Sequence, residues 1–311
     1  MARTRKAKTS PAARREVAAD PRAKAGSVKA ARRVRAIQSR ESRRKERLIL
    51  GAVLVITFLA FANSLNGEFV YDDRLQVLNN PTIKSLSNIP RMLTESVWQF
   101  MNQGAAGPVG PYYRPLFNVA LIINYHLFEF SVTGWHLVSV LFHLGVVLLV
   151  YMLAHRYGLT SQAAAIAAAV FGLHPVHSES VAWVSGIPDP MAAVFILTSM
   201  LVYERYRETP ARWPRFAVSA GLALLALLSK ETAIALPVFL AVREALDRPE
   251  GESLTALGRR MVSRAAPFFG VAGLYVVLRY LVLGFLRQDE PGSAGIPFAH
   301  VLLTIPSVLV S

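Results

Sequence analysis

Two adjacent carboxylates, Asp72 and Asp73, stand in GEFVYDDRLQVLNN (67–80), directly after an apolar run. A general base must be ionised and held in place, and a like charge or partial burial raises its pKa toward working pH. The same pair also fits a solvated turn or the cap of a following helix. A second group, HPVHSESVAW, holds His174, His177, Glu179 and Trp183. Two His three apart beside a Glu resemble half of a zinc site, but Pro175 breaks helical regularity and no third strong ligand follows. These polar groups therefore read as the end of a short span lining a polar cavity. Trp183 suits either an interface anchor or a platform on which a sugar stacks. Lys230 and Glu231, in LLSKETA, sit between two apolar runs with almost no loop. At that depth they form an ion pair or meet a lipid phosphate. Arg114 in PYYRPL and Arg279 in LYVVLRYLVLG complete the set. A planar guanidinium matches phosphate, and snorkelling to the interface is the competing role for an Arg inside a span.

The elements that must position these residues are membrane helices. Hydrophobic residues make up 53% of the 311 and charged residues 17%, against roughly 25% charged in soluble domains. Several apolar runs approach the ~20 residues that cross a bilayer. The net charge of +14 is concentrated at one end. Residues 1–50 hold 17 of the 34 Lys and Arg and 4 of the 20 Asp and Glu, which leaves 17 against 16 elsewhere. Residues 1–47 read as a disordered basic tail that lies on anionic lipid. Nucleic acid is not an expected partner, because the folded part is not basic. There is no cysteine, which excludes disulfides and thiol chemistry. No Walker loop, GxSxG or HExxH motif is present, so neither ATP-driven work nor soluble-type hydrolysis is indicated, and no cofactor is implied.

Spans are predicted at about 48–64, 134–154, 161–177, 189–203, 215–228, 232–246 and 266–285, with a further apolar run at 298–311. The piece at 116–128 is too short to cross as a helix and is predicted to lie along the surface of a long first outer loop, 65–133. With the tail inside, loops 155–160, 204–214 and 247–265 are inner and rich in Arg, as the positive-inside rule requires. YDD, HPVHSE and Lys230-Glu231 then share the outer face.

GEFVYDDRLQVLNN, YYRPLFNVALIINYHLF, GWHLVSVLFHLGVVLLVYML, FGLHPVHSESVAWVSGIPD and LLSKET follow one another in this order. Together they resemble the membrane portion of the transmembrane and tetratricopeptide-repeat O-mannosyltransferases and their bacterial relatives, over about residues 48–285. The resemblance implies an all-α GT-C-like bundle of about seven to eight transmembrane helices in an inner membrane. It implies a glycosyltransferase that moves a sugar, mannose in this family, from a polyprenyl-phosphate donor to an outer-face hydroxyl. The acceptor is a protein Ser or Thr, or a glycan, and the anomeric centre inverts. By match, Asp72 or Asp73 is the base. Arg114, Lys230 or Arg279 holds the leaving phosphate, with Glu231, His174, His177, Glu179 and Asp189 as further contacts. A Gly-Arg-Ala-Asp pattern of the family stands here as Gly186-Ile187-Pro188-Asp189, without its Arg. The family continues into more spans and repeats beyond the point where this sequence stops, so the chain is expected to be either a fragment of a longer protein or a shortened one whose catalytic unit is incomplete. The rival reading is a non-catalytic protein that binds lipid phosphate on the same scaffold. A transporter would show repeated halves, which the sequence lacks.

Overall fold

A computed structural model describes residues 41, 44–102, 110–209 and 213–284. The chain divides into two compact units, Met1–Leu48 and Ile49–Ser311. Nearly all of the basic tail and the apolar run at 298–311 lie outside the described residues. What is described is helix and loop, without a strand.

Four helices are long and apolar enough to cross a membrane among the described residues. They are α1 (Arg44–Asn66), α4 (Val132–Arg156), the stretch Val184–Glu208, which ends in α7 (Pro188–Glu208), and the stretch Leu254–Leu283. That last stretch is α10 (Leu254–Arg264) joined to α11 (Ala266–Leu283). Between them lie α2 (Ile89–Met92), α3 (Pro115–Phe128), α5 (Ser161–Leu173), α6 (Ser178–Ala182), α8 (Trp213–Ser229) and α9 (Leu236–Leu246). Every predicted span within the described residues overlaps one of these helices, but those at 161–177, 215–228 and 232–246 meet α5, α8 and α9, which are not among the four long enough to cross. The predicted spans 161–177 and 232–246 are shorter as helices because His174-Pro175 and the Glu231–Ala235 turn interrupt them.

Local signals account for the breaks. Pro115 occupies the first turn of α3, where its missing N–H costs nothing. Thr160 caps α5 through Ala163 N–H, and Ser253 caps α10 through Ala256 N–H. His174 Nδ1 accepts from Val176 N–H, so this histidine caps the short turn Pro175–His177. α11 stops at Gly284, whose φ of 73° is open to glycine without a Cβ penalty.

The described part of the segment between α1 and α4 is folded onto the helices. Phe69, Val77, Ile83 and Met92 from the loop pack with Phe117 and Leu121 of α3, Trp135 of α4 and Met191 of α7. That core seats the carboxylate segment on the helix bundle. Within the bundle, α7 packs on both α4 and α8. Ser199 Oγ donates to Ser219 carbonyl at 2.8 Å, and Ser219 Oγ donates back to Ser199 carbonyl at 2.9 Å. Hydroxyl pairs of this kind hold helices together where burial of apolar surface gives no drive.

The far ends of the same helices carry an ion network. Glu244 of α9 is fully buried and accepts from Tyr203 Oη at 2.9 Å. Arg207, Arg260 and Arg264 also pair with it. Glu204 pairs with Arg207 and Arg243, each at 2.9 Å. The network ties the end of α7 to α9 and α10.

Candidate active site

Asp72 and Asp73 sit in a segment that winds into one wide turn over Arg74–Leu78. Helical winding separates adjacent side chains by about 100°, so the two carboxylates cannot face the same way. Asp73 turns inward and is fully buried. Its Oδ1 accepts from Ser185 N–H at 2.8 Å and from Ser185 Oγ–H at 2.5 Å. Its Oδ2 accepts from Val70 N–H at 3.2 Å. Burial pushes its pKa above the ordinary carboxylate value, and the Ser185 and Val70 donors, with His136 nearby, pull it partly back. Asp72 turns the other way and lines a cavity of about 660 Å³.

Ser185 reaches Asp73 because its turn, Val184–Gly186, lies hard against α6. A Cβ on Gly186 would come within 3.1 Å of Glu179 carbonyl and of Ser180 Cα, both backbone atoms. Gly186 thus suits the close approach that clamps the acidic loop to the bundle, which a Cβ could join only if that backbone gave way by a few tenths of an ångström. Pro188 then opens α7, which places Asp189 in its first turn.

The cavity gathers groups far apart in sequence. Asp72 and Gln76, one turn apart, form one side, and His177, Glu179 and Trp183 form another. Arg114, Asp189 and Lys230 also line it, with Tyr112 beside Arg114. Arg114 holds Glu231 with a two-point fork, Nε to Oε2 at 2.8 Å and Nη2 to Oε1 at 2.6 Å. Its guanidinium carbon lies 4.5 Å from the Tyr112 ring centre. Burial works against both charges, but the fork outweighs it. Glu231 is held below the usual carboxylate range and Arg114 above the usual guanidinium value. Lys230 Nζ donates to Asp189 Oδ1 at 2.5 Å. Each cation therefore commits part of its donor set to one carboxylate. Three N–H groups of the five on a guanidinium, and two of the three on an ammonium, are left to turn elsewhere. The cavity continues past His143, Val146 and Phe171 toward the apolar flank of α4 and α5. Two polar atoms on its walls, Gln76 Oε1 and Trp183 Nε1, are buried without a hydrogen-bond partner among the described residues.

Residues 104–282 match the model of the Dolichyl-phosphate-mannose-protein mannosyltransferase family, which is more than half of the chain. The chain belongs to this family. Relatives include Protein O-mannosyl-transferase Tmtc1 of Drosophila melanogaster, 32% identical over 60% of this chain and 21% of its own length. Protein O-mannosyl-transferase TMTC4 of Homo sapiens is 30% identical over 60% of this chain and 27% of its own. The TMTC4 of Mus musculus is 29% identical over 79% of this chain and 38% of its own. The chain thus spans between about a fifth and two fifths of the length of these relatives. No solved structure matches it. With its apolar helices, family membership makes this an integral membrane protein.

The family match begins after the acidic pair, so the placement of Asp72 and Asp73 stands on geometry alone. Of the predicted site residues, Asp72, Arg114, His177, Glu179, Asp189 and Lys230 line one cavity. Glu231 stands directly behind Arg114. Arg279 is set further back. Its Nη2 donates to Pro111 carbonyl at 3.0 Å, and its charge helps hold Glu231 ionised. His174 serves as a turn cap and does not line the cavity. Among the described residues, no three His, Cys, Asp or Glu side chains are grouped to hold a metal ion. Sequence reasoning missed Ser185, Gln76 and Tyr112. Gln76 could have been found, since a residue four beyond Asp72 shares its helical face. Ser185 carried no signal, because only the fold brings its hydroxyl 112 residues back to Asp73.

Proposed function

We propose that this chain carries the transfer centre of a membrane mannosyltransferase acting on protein Ser or Thr, with a polyprenyl-phosphate-linked sugar as donor. The observation behind this reading is that a carboxylate, Asp72, and two cations, Arg114 and Lys230, line the same cavity. Transfer needs a base at the attacking oxygen and positive charge where the leaving phosphate gathers its electrons. Asp72 takes the proton from the acceptor hydroxyl as that oxygen bonds to the anomeric carbon. The bond between the anomeric carbon and the phosphate oxygen breaks, and its electron pair leaves with the polyprenyl phosphate. Attack from the face opposite the leaving group inverts the centre. Arg114 and Lys230 take up the charge on the departing phosphate, each oriented by its carboxylate partner. Asp73 positions Asp72 rather than reacting, since both its oxygens are engaged by Ser185 and Val70. The prenyl chain follows the apolar flank of the cavity into the membrane, which explains why the chemistry stays at the bilayer surface. The Arg-rich helix ends face the cytoplasm, the cavity faces the opposite side, and residues 1–47 rest on anionic lipid of the inner leaflet.

The test is transfer from polyprenyl-phosphate mannose to a Thr-containing peptide by the full-length protein in membranes. Asp72→Asn is expected to lower kcat about 10²–10⁴-fold, the usual contribution of a general base. Asp73→Asn keeps an oxygen for Ser185 but presents an amide to Val70 N–H, so its loss is smaller. Full transfer by Asp72→Asn overturns the assignment, and donor binding without any transfer by the wild type supports a non-catalytic lipid-phosphate-binding protein instead.

A further inference from the structure

A second cavity, of about 450 Å³, lies on the other side of Asp72. It is lined by Val70, Tyr71, Ser178, Ala182 and Trp183, together with Asp72 and Glu179. Asp72, Glu179 and Trp183 are shared with the larger cavity. The two spaces thus meet at a pair of carboxylates, and their electrostatics are opposite. Arg114 and Lys230 line the larger cavity alone, while the smaller one has no cation among the described residues of its wall.

We propose that this smaller cleft receives the acceptor, as an extended polypeptide segment whose apolar side chain sits beside the hydroxyl to be modified. The inference deepens the reading given above and rests on it. A phosphate bearing negative charge is repelled by a cleft that offers only Asp72 and Glu179. A neutral peptide is not repelled, and the apolar walls favour it. An acceptor entering here meets Asp72 first, on the side of the anomeric carbon opposite to the cations. That is the order inversion requires: hydroxyl oxygen, anomeric carbon, leaving phosphate. The proton passes from hydroxyl to Asp72 without crossing the donor.

One further feature marks the cleft as built for contact. Tyr71 has a φ of 46°, which is uncommon for a residue with a side chain, and it is 84% exposed. Strained backbone of this kind persists where surrounding structure holds it, and it concentrates at functional sites. Here it holds an aromatic ring at the mouth of the cleft instead of tucking it away.

Tyr71→Gly removes the ring while suiting the left-handed backbone, so it tests the cleft without a folding penalty. Ala182→Trp fills the same space from α6. The assay uses the full-length protein, polyprenyl-phosphate mannose, and a synthetic peptide holding one Thr between two Val. Both variants are expected to raise the peptide KM about tenfold or more, as loss of an aromatic anchor does, while the donor KM does not move. A peptide with Asp flanks is expected to be the poorer acceptor for the wild type. A photoreactive phenylalanine analogue at position 71 is expected to capture the peptide. Capture of the prenyl donor, or an unchanged peptide KM in both variants, overturns the acceptor cleft and leaves the transfer reading standing. No transfer by the wild type overturns the transfer reading itself, and the cleft falls with it.

Discussion

Asp72 and Asp73 are the same residue type one peptide bond apart, and the fold gives them different surroundings. Asp73 is saturated with donors and sealed from water, and Asp72 opens onto a cavity. A parallel division separates Glu231 from the cavity it supports. Its fork with Arg114 depresses its folded pKa below the ordinary value of 4.5, although burial alone would raise it. A carboxylate depressed on folding adds stability above its unfolded pKa and loses it as pH falls through the folded one. Wild type is therefore expected to exceed Glu231→Gln in stability by roughly 1–3 kcal/mol above about pH 5, the cost of leaving a partly buried Arg114 without its anion. The gap closes as the pH falls further, because the protonated Glu231 carboxyl and the glutamine amide of the variant are then alike in charge. Thermal unfolding in detergent across pH 3–7 measures both arms. A gap that widens toward acid pH contradicts the assignment of the depressed group to Glu231.

At the scale of elements, much was legible in the sequence and its limits have physical causes. Apolar periods and lengths placed the helices, because transfer of an apolar run into hydrocarbon depends on composition more than on context. α3 was found as a short separate helix by its length alone, and the structure adds that Pro115 opens it. The turn at Glu231–Ala235 and the break at His174-Pro175 shortened two predicted spans, since a proline and a pair of charges interrupt a helix locally without changing its mean hydropathy. Contacts across the fold were not legible. Nothing near Glu244 in sequence indicates that Tyr203, Arg207, Arg260 and Arg264 all converge on it. Removing a fully buried anion from such a hub leaves Arg264 without its carboxylate and strips one partner each from Arg207 and Arg260, which costs at the low end of about 3–5 kcal/mol. Glu244→Gln is expected to lower the unfolding midpoint accordingly. α7 separates the hub from the cavity by about 27 Å, from Asp189 to Arg207 at 1.5 Å per residue. The variant should therefore retain donor and peptide KM values at temperatures where it stays folded. A large KM change without loss of stability would contradict a structural role for the hub.

The whole molecule is polarised along its helices. α7 and α9 begin near the cavity and end in the network of Arg207, Glu204, Arg243 and Glu244, and α8 runs back between them. Arg156 closes α4 at the same end and pairs with Glu208. The cavity end, by contrast, sets Asp72, Glu179 and Asp189 against Arg114 and Lys230. An excess of Arg on short loops fixes the side that stays in the cytoplasm, so the two ends should lie in different compartments. The absence of cysteine makes this directly measurable, because an introduced thiol is the sole one in the chain. Val176 is 68% exposed beside the cavity, and Leu246 is 79% exposed at the network end. Val176→Cys is expected to react with a maleimide that cannot cross the bilayer when added to intact cells. Leu246→Cys should react only after the membrane is opened. Labelling of both positions from one side would place the helix ends of α5 and α9 in one compartment. A donor held in one leaflet could not then be matched to the charge asymmetry, and the assignment of the transfer face would have to be reversed or abandoned.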